Sequence, residues 1–368
     1  MDPFAAATTN YFAAMSKQNK CPQRLLMGPW NHGGMRAAGA SYVGDVDFGP
    51  AALWGDRVYN EERLRWFNCW LKGVSNDVEE DPPVRIFVMG GGDGRRTLDG
   101  RLNHGGTWRF EYEWPLARTE YIDYYLHAGG LLNPDPPDES GPPVSFLHDP
   151  ANPVPTIAAN VTGFYELVPL GEGMASRYTP PRARMRSIIL DGAAHQQEAP
   201  GIVGAKPPYL PLAARPDVLV FQTSPLEEDV EVTGPIVAKL WISSSAVDTD
   251  FTAKLIDVYP PNEDYPAGYH MNIVDSIIRT RYRGGWEKEE LMEPGRVYSV
   301  QIVLPPTSNL FQVGHRIRVD ISSSNFPRFD INPNTGEPMG RHTYTIVAHN
   351  TVYMDGNYPS HIVLPIIP

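Results

Sequence analysis

The sequence predicts an α/β segment followed by an all-β region that extends to the C-terminus. Residues 1–75 contain two apolar patterns with helical spacing, and residues from about 84 onward contain short apolar runs that alternate with period two. The chain also has 37 prolines and 33 glycines, which separate those runs rather than forming one tract. We therefore expect a β-sandwich of jelly-roll type from about residue 105 to the end.

The first part is predicted to contain two helices and two strands. Residues 4–15 and 61–72 place large apolar side chains at helical spacing, and Gly73 is a suitable residue to end the second helix. The predicted faces consist of Phe4, Tyr11, Phe12 and Met15 in the first helix and of Leu64, Phe67, Trp70 and Leu71 in the second. Residues 25–27 and 84–90 are predicted strands.

Nine further runs in the second part are predicted strands, because each is rich in β-branched and aromatic residues and is bounded by Gly, Pro, Asp or Asn. They are residues 120–130, 186–192, 217–223, 235–244, 251–260, 272–284, 296–305, 315–324 and 361–367. The long stretches 127–160 and 192–215 are expected to be irregular surface connections.

Composition excludes several classes of function. The chain has 368 residues and a net charge of −12, and an acidic surface does not suit nucleic acid. It contains no run of 18 apolar residues, so we expect no membrane association through a helix. Residues 1–15 do not resemble a signal peptide, and the two cysteines do not form a disulfide framework, so cytoplasm is the default location.

The segment "LLMGPWNHGG", residues 25–34, carries the strongest chemical signal. His32 follows a short predicted strand in a glycine-rich loop, where an α/β-hydrolase carries its general base. On pattern alone, a histidine that caps a turn is the simpler interpretation. Asp2 lies 30 residues ahead of His32, in the order in which the acid and base of such a triad occur. Taken alone, Asp2 is more simply a helix N-cap with Pro3 at the first helical position.

Longer segments connect these residues to a known family. The chain resembles the C-terminal part of bacterial serine hydrolases that include cocaine esterase, glutaryl acylases, α-amino-acid ester hydrolases and X-prolyl dipeptidyl aminopeptidases. The resemblance rests on "GPWNHGG" (28–34), "VRIFVMG" (84–90), "TGPIVAKLWISSSAVDTDFTAKLIDVYP" (233–260) and "TSNLFQVGHRIRVDISSSNFPRFDINPNTGE" (307–337). It implies an α/β-hydrolase domain followed by a jelly roll that packs on it.

The resemblance also implies roles for individual residues. Asp2 falls on the position of the triad acid, although the Gly, Trp and Tyr that precede the acid in the family are absent, and His32 falls on the position of the base. Phe4 is expected beside the acyl pocket. Pro3, Phe4 and Ala5 stand where the α-amino-acid ester hydrolases carry two further carboxylates, which disfavours that subgroup.

Ser41 is an apparent nucleophile. "GASYVG", residues 39–44, matches the family's nucleophile turn Gly-x-Ser-Tyr-x-Gly, which in the family lies well upstream of the acid. A nucleophile turn requires a strand before it and a helix after it, and the sequence predicts neither around Ser41. Ser41 also follows His32, which is the wrong order for this fold, so we expect it to be a chance match.

No metal or cofactor site is expected. "GGGDG" (90–94) lacks the residues that follow a phosphate loop, and "DINPNTG" (330–336) departs from a calcium loop at its sixth and twelfth positions. The ten histidines show no pairing at metal-ligand spacing with cysteines or carboxylates. Asp248 and Asp250 are expected to cap the end of a strand, with a structural ion as the alternative.

The sequence thus predicts a hydrolase of ester or amide acyl bonds that carries the triad acid and base but not the nucleophile. We expect residues 1–105 to be the C-terminal part of an α/β-hydrolase domain and residues 106–368 to be a jelly roll. The nucleophile would come from a separate N-terminal segment, so the chain is expected to be a fragment or one part of a two-chain enzyme, with bare strand edges and uncovered apolar faces on strands 25–27 and 84–89. The alternative is a non-catalytic jelly-roll module that docks on a nucleophile-bearing chain.

Overall fold

The fold is mostly β-sheet with few helices. The computed structural model describes residues 2–32, 39–161, 165–169 and 183–368. Among these residues the α-helices are α1 (Ala5–Gln18) and α2 (Gly55–Lys72). Both lie in the predicted first part, and α2 ends at Gly73, whose left-handed backbone (φ 66°) lets its N–H donate to the carbonyl of Cys69 at 2.9 Å.

The strands of the first part and of the following connection are β1 (Leu25–Met27), β2 (Tyr42–Val43), β3 (Val46–Asp47), β4 (Val84–Met89), β5 (Leu102–Asn103), β6 (Gly106–Glu111), β7 (Glu120–His127), β8 (Leu131–Asn133), β9 (Val144–His148), β10 (Tyr165–Pro169) and β11 (Ala183–Ser187). The remaining strands are β12 (Leu219–Gln222), β13 (Val230–Ser244), β14 (Asp250–Tyr259), β15 (Tyr269–Arg279), β16 (Tyr298–Phe311), β17 (Arg316–Ser322), β18 (Ala348–Asp355), β19 (Tyr358–Pro359) and β20 (His361–Ile367).

Most of these strands belong to one fifteen-stranded sheet. Its main path runs β1-β4-β16-β13-β20-β7-β8-β12-β17-β14-β15; off this path, β18 pairs with β13, β9 and β19 pair with β18, and β6 pairs with β4. Strand β13 is long enough, at 15 residues, to pair with β16, β18 and β20 along different parts of its length. Its residues alternate between buried and partly exposed, as expected for a strand with one face on the core.

The first part is connected to this sheet through β4. Strands β1 and β4 form a parallel pair, and β4 pairs antiparallel with β6, so the predicted boundary at residues 105 and 106 lies immediately before a strand that pairs back onto the first part. Phe12 of α1 packs against Leu25 of β1 and Ile86 of β4 in a small core cluster. Among the described strands, β1 pairs with β4 alone, which leaves its other edge open.

The predicted connections at 127–160 and 192–215 are irregular over much of their length, but they are not confined to the surface. Residues 154–159 are buried, and so are residues 193 and 194. Their backbone groups find specific partners: Gln196 donates to the carbonyl of Ile157 at 2.9 Å, and the N–H of Ala194 donates to Asn272 at 2.9 Å. These segments help to cover the second face of β14, all ten residues of which are buried.

The expected bare apolar faces occur on the helices rather than on β4. Five of the six residues of β4 are buried, so the prediction of an uncovered strand face there was wrong. Of the predicted face of α1 only Phe12 is buried, while Tyr11 is 73 % exposed. The predicted stripe of α2 is exposed throughout, with Leu64 at 58 % and Leu71 at 76 %. The face of α1 that is buried contains Ala5, Thr9 and Phe12, so the predicted face was only partly right, and the described residues provide no cover for the stripe of α2.

Asp248 and Asp250 form a buried polar network rather than a simple strand cap. Asp248 accepts from the guanidinium of Arg281 at 2.8 Å, and Asp250 accepts from that of Arg279 at 2.9 Å. The amide nitrogen of Asn332 donates to both carboxylates, at 2.9 and 2.8 Å. This amide comes from the turn that resembles a calcium loop, and it lies where a cation between the two carboxylates would lie.

No helix among the described residues combines the length and apolar character needed to cross a membrane.

Candidate active site

Asp2 and His32, thirty residues apart in sequence, lie in hydrogen-bond contact. The Nδ1 atom of His32 is 3.2 Å from the Oδ2 atom of Asp2. The His32 side chain is 54 % exposed and that of Asp2 is 31 % exposed. When Asp2 accepts the Nδ1 proton, Nε2 becomes the basic atom of the ring, which is the arrangement that a general base requires.

The start of α1 holds the Asp2 carboxylate. The Oδ1 atom of Asp2 accepts the backbone N–H of Phe4 at 2.8 Å, and the carbonyl of Asp2 accepts the N–H of Ala5 at 3.1 Å. The regular helix begins at Ala5 with Phe4 as its N-cap, two residues later than the interpretation of Asp2 as the N-cap expects, but Asp2 still caps the first N–H groups through its hydrogen bond to Phe4. One carboxylate oxygen is thus fixed by the backbone and the other remains for His32.

Strand β1 and a cluster of tryptophans fix the loop that carries His32. Trp30 packs against Trp54 and Trp108, with ring centroids 5.2 and 5.6 Å apart. Gly28 permits this packing, because a Cβ atom at that position would lie 2.6 Å from the Trp30 ring. The guanidinium of Arg85 lies over Trp54 and Trp108, at 5.0 and 4.9 Å from their ring centroids.

A cleft of about 450 Å³ opens at the pair. The Phe4 ring contacts the His32 ring edge-on, with centroids 5.0 Å apart and planes at 65°. Phe4 itself is 51 % exposed and lines the cleft, as do Trp30 and Tyr59. The cleft therefore combines an oriented histidine with aromatic walls, a composition typical of small-molecule sites.

Residues around the cleft that the sequence analysis did not single out include Trp30, Asn31 and Tyr59. Asn31, adjacent to His32, donates to Asp191 at 3.3 Å. Burial raises the pKa of the Asp191 carboxyl, and the Asn31 hydrogen bond opposes that shift. The tryptophan in "GPWNHGG" was a usable signal, whereas Tyr59 reaches the cleft from α2 and has no local pattern that would reveal it.

The surroundings of Ser41 differ from those of a nucleophile turn. Residues 33–38, which precede it, lie outside the described residues. After it come the short strands β2 and β3, which pair with each other, and the carbonyl of Ser41 accepts the N–H of Phe48 at 2.8 Å. A β-hairpin therefore occupies the position where a nucleophile would need the N-terminus of a helix.

Within the described ranges, no group of three or more histidine, cysteine, aspartate and glutamate side chains has the geometry to hold a metal ion.

Sequence comparison relates this fold and site to known proteins. A family profile described as the X-Pro dipeptidyl-peptidase C-terminal non-catalytic domain matches residues 76–363. The chain belongs to this family. It is 34 % identical over 379 residues to a cocaine esterase from Rhodococcus sp., an alignment that covers 100 % of this chain and 55 % of the relative.

Structural comparison finds similar folds in two solved structures. The fold is similar to an aminopeptidase from a marine sediment archaeon (Thaumarchaeota), with a TM-score of 0.67, 27 % identity and coverage of 98 % of this chain and 52 % of that one. It is also similar to an α-amino acid ester hydrolase, with a TM-score of 0.69, 26 % identity and coverage of 97 % and 52 %. The resemblance inferred from the sequence is thereby confirmed. This chain spans about half the length of these relatives.

Proposed function

We propose that this chain supplies the acid and the base of a serine hydrolase that cleaves ester or amide acyl bonds. The hydrogen bond between Asp2 and His32 at the mouth of an aromatic-lined cleft carries the proposal. The relatives named as a cocaine esterase and an α-amino acid ester hydrolase support the reaction class. The substrate would be a small ester or amide, with Phe4 beside its acyl group.

In this mechanism His32 takes the proton of an attacking serine through Nε2 and later returns it to the leaving group. Asp2 keeps the proton of neutral His32 on Nδ1 and stabilises the imidazolium that forms. The backbone N–H of Phe4 holds Asp2 in place through its second oxygen. We propose that the serine and the oxyanion-hole donors belong to a separate N-terminal hydrolase segment, and that Ser41 is not the nucleophile.

The proposed domains are an α/β-hydrolase remnant at 1–105 and a jelly roll at 106–368. The parallel pairing of β1 with β4 supports the first, since parallel strands with helices are typical of α/β domains. The antiparallel pairing of β13 with β16, β18 and β20 supports the second.

The exposed surface of α2 and β1 supports the proposal that another polypeptide binds to the first part. Leu64, Phe67 and Leu71 of α2 form a contiguous exposed apolar stripe, and β1 has an open edge among the described strands. Exposed apolar stripes and free strand edges are typical of surfaces that bind another polypeptide. A segment that carries the nucleophile would cover both.

The test is complementation by a nucleophile-bearing N-terminal segment taken from the Rhodococcus relative. We expect the two chains together, but neither alone, to hydrolyse a p-nitrophenyl ester. A fluorophosphonate probe should then label the serine of the added segment. Asp2→Asn should lower kcat by about 10⁴ if Asp2 acts as a triad acid does in serine proteases, and His32→Gln should be at least as damaging.

A fluorophosphonate adduct on this chain alone that disappears in Ser41→Ala would contradict the proposal. His349→Gln is a matched control for the active-site variants, because His349 is an exposed histidine that does not line the cleft. We expect its activity to stay close to that of the unaltered chain.

A second candidate function is a non-catalytic binding module. The description of the family profile favours it, since that profile covers residues 76–363 and neither Asp2 nor His32. Under this alternative the chain would still bind the nucleophile-bearing segment, but Asp2→Asn and His32→Gln would leave the activity of the complex unchanged.

A further inference from the structure

A second cleft lies far along the chain from Asp2 and His32, in the β-rich part. It has a volume of about 380 Å³, within the range of small-molecule sites. One wall comes from the end of β15, including Arg279, and the other from the irregular segment 330–345. Residues 338–345 of this segment are all exposed. The cleft is therefore open to a ligand from solvent.

An exposed aromatic pair extends the cleft. Trp286 is 74 % exposed, and its ring lies 5.5 Å from that of Tyr282 with the planes inclined at 34°. The hydroxyl of Tyr282 contacts the sulfur of Met339, a residue of the cleft wall, at 3.4 Å. A continuous surface therefore runs from the cleft across Met339 and Tyr282 to Trp286. Such an exposed tryptophan beside a cleft is typical of a binding surface.

The charges at the cleft disfavour an anionic ligand. Two nitrogens of the Arg279 guanidinium each donate to a carboxylate oxygen of Asp250 at 2.9 Å. The Arg281 guanidinium donates to Asp248 at 2.8 Å and to Glu289 at 3.3 Å. These guanidiniums are already neutralised. The lining also includes the carboxylates of Asp330 and Glu337, together with His342 and Thr345. The Glu337 carboxylate accepts from Thr343, which lowers its pKa and keeps it ionised.

Much of the remaining lining is apolar. Pro150, Pro333 and Pro338 provide rigid walls between the polar groups, and Met339 adds an adaptable apolar side chain. A ligand that suits this surface has apolar ring faces and hydrogen-bonding edges, and it carries no negative charge. Pyranose rings have this character, because their C–H faces stack on aromatic rings and their hydroxyls both donate and accept hydrogen bonds.

We propose that this cleft and the Tyr282–Trp286 pair form a binding site for a neutral oligosaccharide. One sugar ring would lie in the cleft between Arg279 and His342, and a following ring would stack on Trp286. The site is independent of Asp2 and His32 and requires no change in the proposed hydrolase reaction. A site that spans the cleft and the aromatic pair should bind a hexasaccharide more tightly than a monosaccharide.

Isothermal titration calorimetry tests the proposal with cellohexaose, maltohexaose, xylohexaose, chitohexaose and glucose. We expect at least one neutral hexasaccharide to bind, more tightly than glucose, and Trp286→Ala to weaken that binding about tenfold, as for an aromatic anchor. Tyr112→Ala is the matched control, because Tyr112 is an exposed aromatic residue (81 %) outside this surface, and it should bind like the unaltered chain. A thermal unfolding scan should show that both variants remain folded.

Binding of none of these hexasaccharides, or binding that Trp286→Ala leaves unchanged, would overturn the proposal. A heparin hexasaccharide and a proline-rich decapeptide serve as competing probes. Binding of either at this surface in preference to every neutral sugar would also overturn it. So would sedimentation velocity data in which Trp286→Ala abolished self-association of the chain.

Discussion

The helical first part and the β-rich part of this molecule are stabilised in different ways. The β-rich part has a large continuous core that includes Phe251, Leu255 and Phe311, all without exposed surface. By contrast, none of the described side chains of α2 is buried. Polar contacts hold α2 in place, including ion pairs of Arg65 with Asp81 and of Glu62 with Arg85.

This difference has a consequence for function. The large core, to which the first part also contributes Phe48 and Phe87, is stabilised by internal contacts, whereas a helix with an uncovered apolar stripe gains stability when another surface covers it. Asp2, Phe4 and Tyr59 of the candidate active site lie at or on the two helices, in the less buried part. The site should therefore become more rigid when a partner covers that part, while the β domain should change little.

The largest expected effect lies in the buried network of the β domain. Asp248→Ala should lower the free energy of unfolding by about 3–5 kcal/mol, because it removes the buried carboxylate partner of Arg281 and leaves this buried guanidinium only the half-exposed carboxylate of Glu289. Urea denaturation measures the effect. Glu293→Ala removes the exposed ion pair with Arg296 and is the control, with an expected change of about 0–1 kcal/mol. Equal effects at the two positions would contradict the contrast between buried and exposed polar contacts.

A smaller effect concerns pH. Burial lowers the pKa of His270 to about 4, and the Arg318 guanidinium and His195 act in the same direction. An unfolded histidine titrates near 6.5, so the unfolded chain binds more protons between these values. His270 therefore contributes stability above pH 6.5, and this contribution is lost as the pH falls towards 4, by at most about 1.4 kcal/mol per pH unit.

The measurement is urea denaturation at pH 7, 6, 5 and 4.5. His270→Gln keeps an acceptor for the Arg318 N–H, which donates to Nδ1 at 3.1 Å, and it should reduce the slope between pH 6.5 and 4. His349→Gln changes an exposed histidine and should leave the slope unchanged. If the slope were the same in His270→Gln as in the unaltered protein, His270 would not be a buried neutral group.

The helical part should tolerate a change that a core would not. Leu64→Ser and Leu71→Ser together should alter the free energy of unfolding by no more than about 0.5 kcal/mol, since surface substitutions have small effects. They should also reduce binding of the nucleophile-bearing segment, measured by calorimetry. Phe12→Ala is the buried counterpart in the same part and should cost about 3 kcal/mol. A loss of stability in the double variant as large as that of Phe12→Ala would show that α2 packs on a core.

A similarly small effect on stability is expected at the candidate active site. Asp2→Asn and His32→Gln should each change the free energy of unfolding by about 0–1 kcal/mol, because the pair is partly exposed. The same variants should nearly abolish activity of the complemented enzyme. A loss of stability above this range would indicate a structural role for the pair instead.

The local structure was largely predictable from the sequence. Residues 84–90, 251–260 and 361–367 fold as β4, β14 and β20, and the second predicted helix ends at Gly73 as expected. The positions of β6 and β18 were not predicted. Strand β18 pairs with both β13 and β9, partners that lie more than a hundred residues away, so its own composition was a weak signal.

The sequence by itself predicted the period of most long elements and the family, and it provided the hypothesis that Asp2 and His32 are an acid and a base. The tertiary structure alone decided which apolar faces are buried by other segments. It buried the irregular residues 154–159, it placed Asn332 between Asp248 and Asp250, and it left the stripe of α2 exposed. The physical reason is that periodicity depends on neighbours within a few residues, whereas the cover of a face depends on segments far away in the chain.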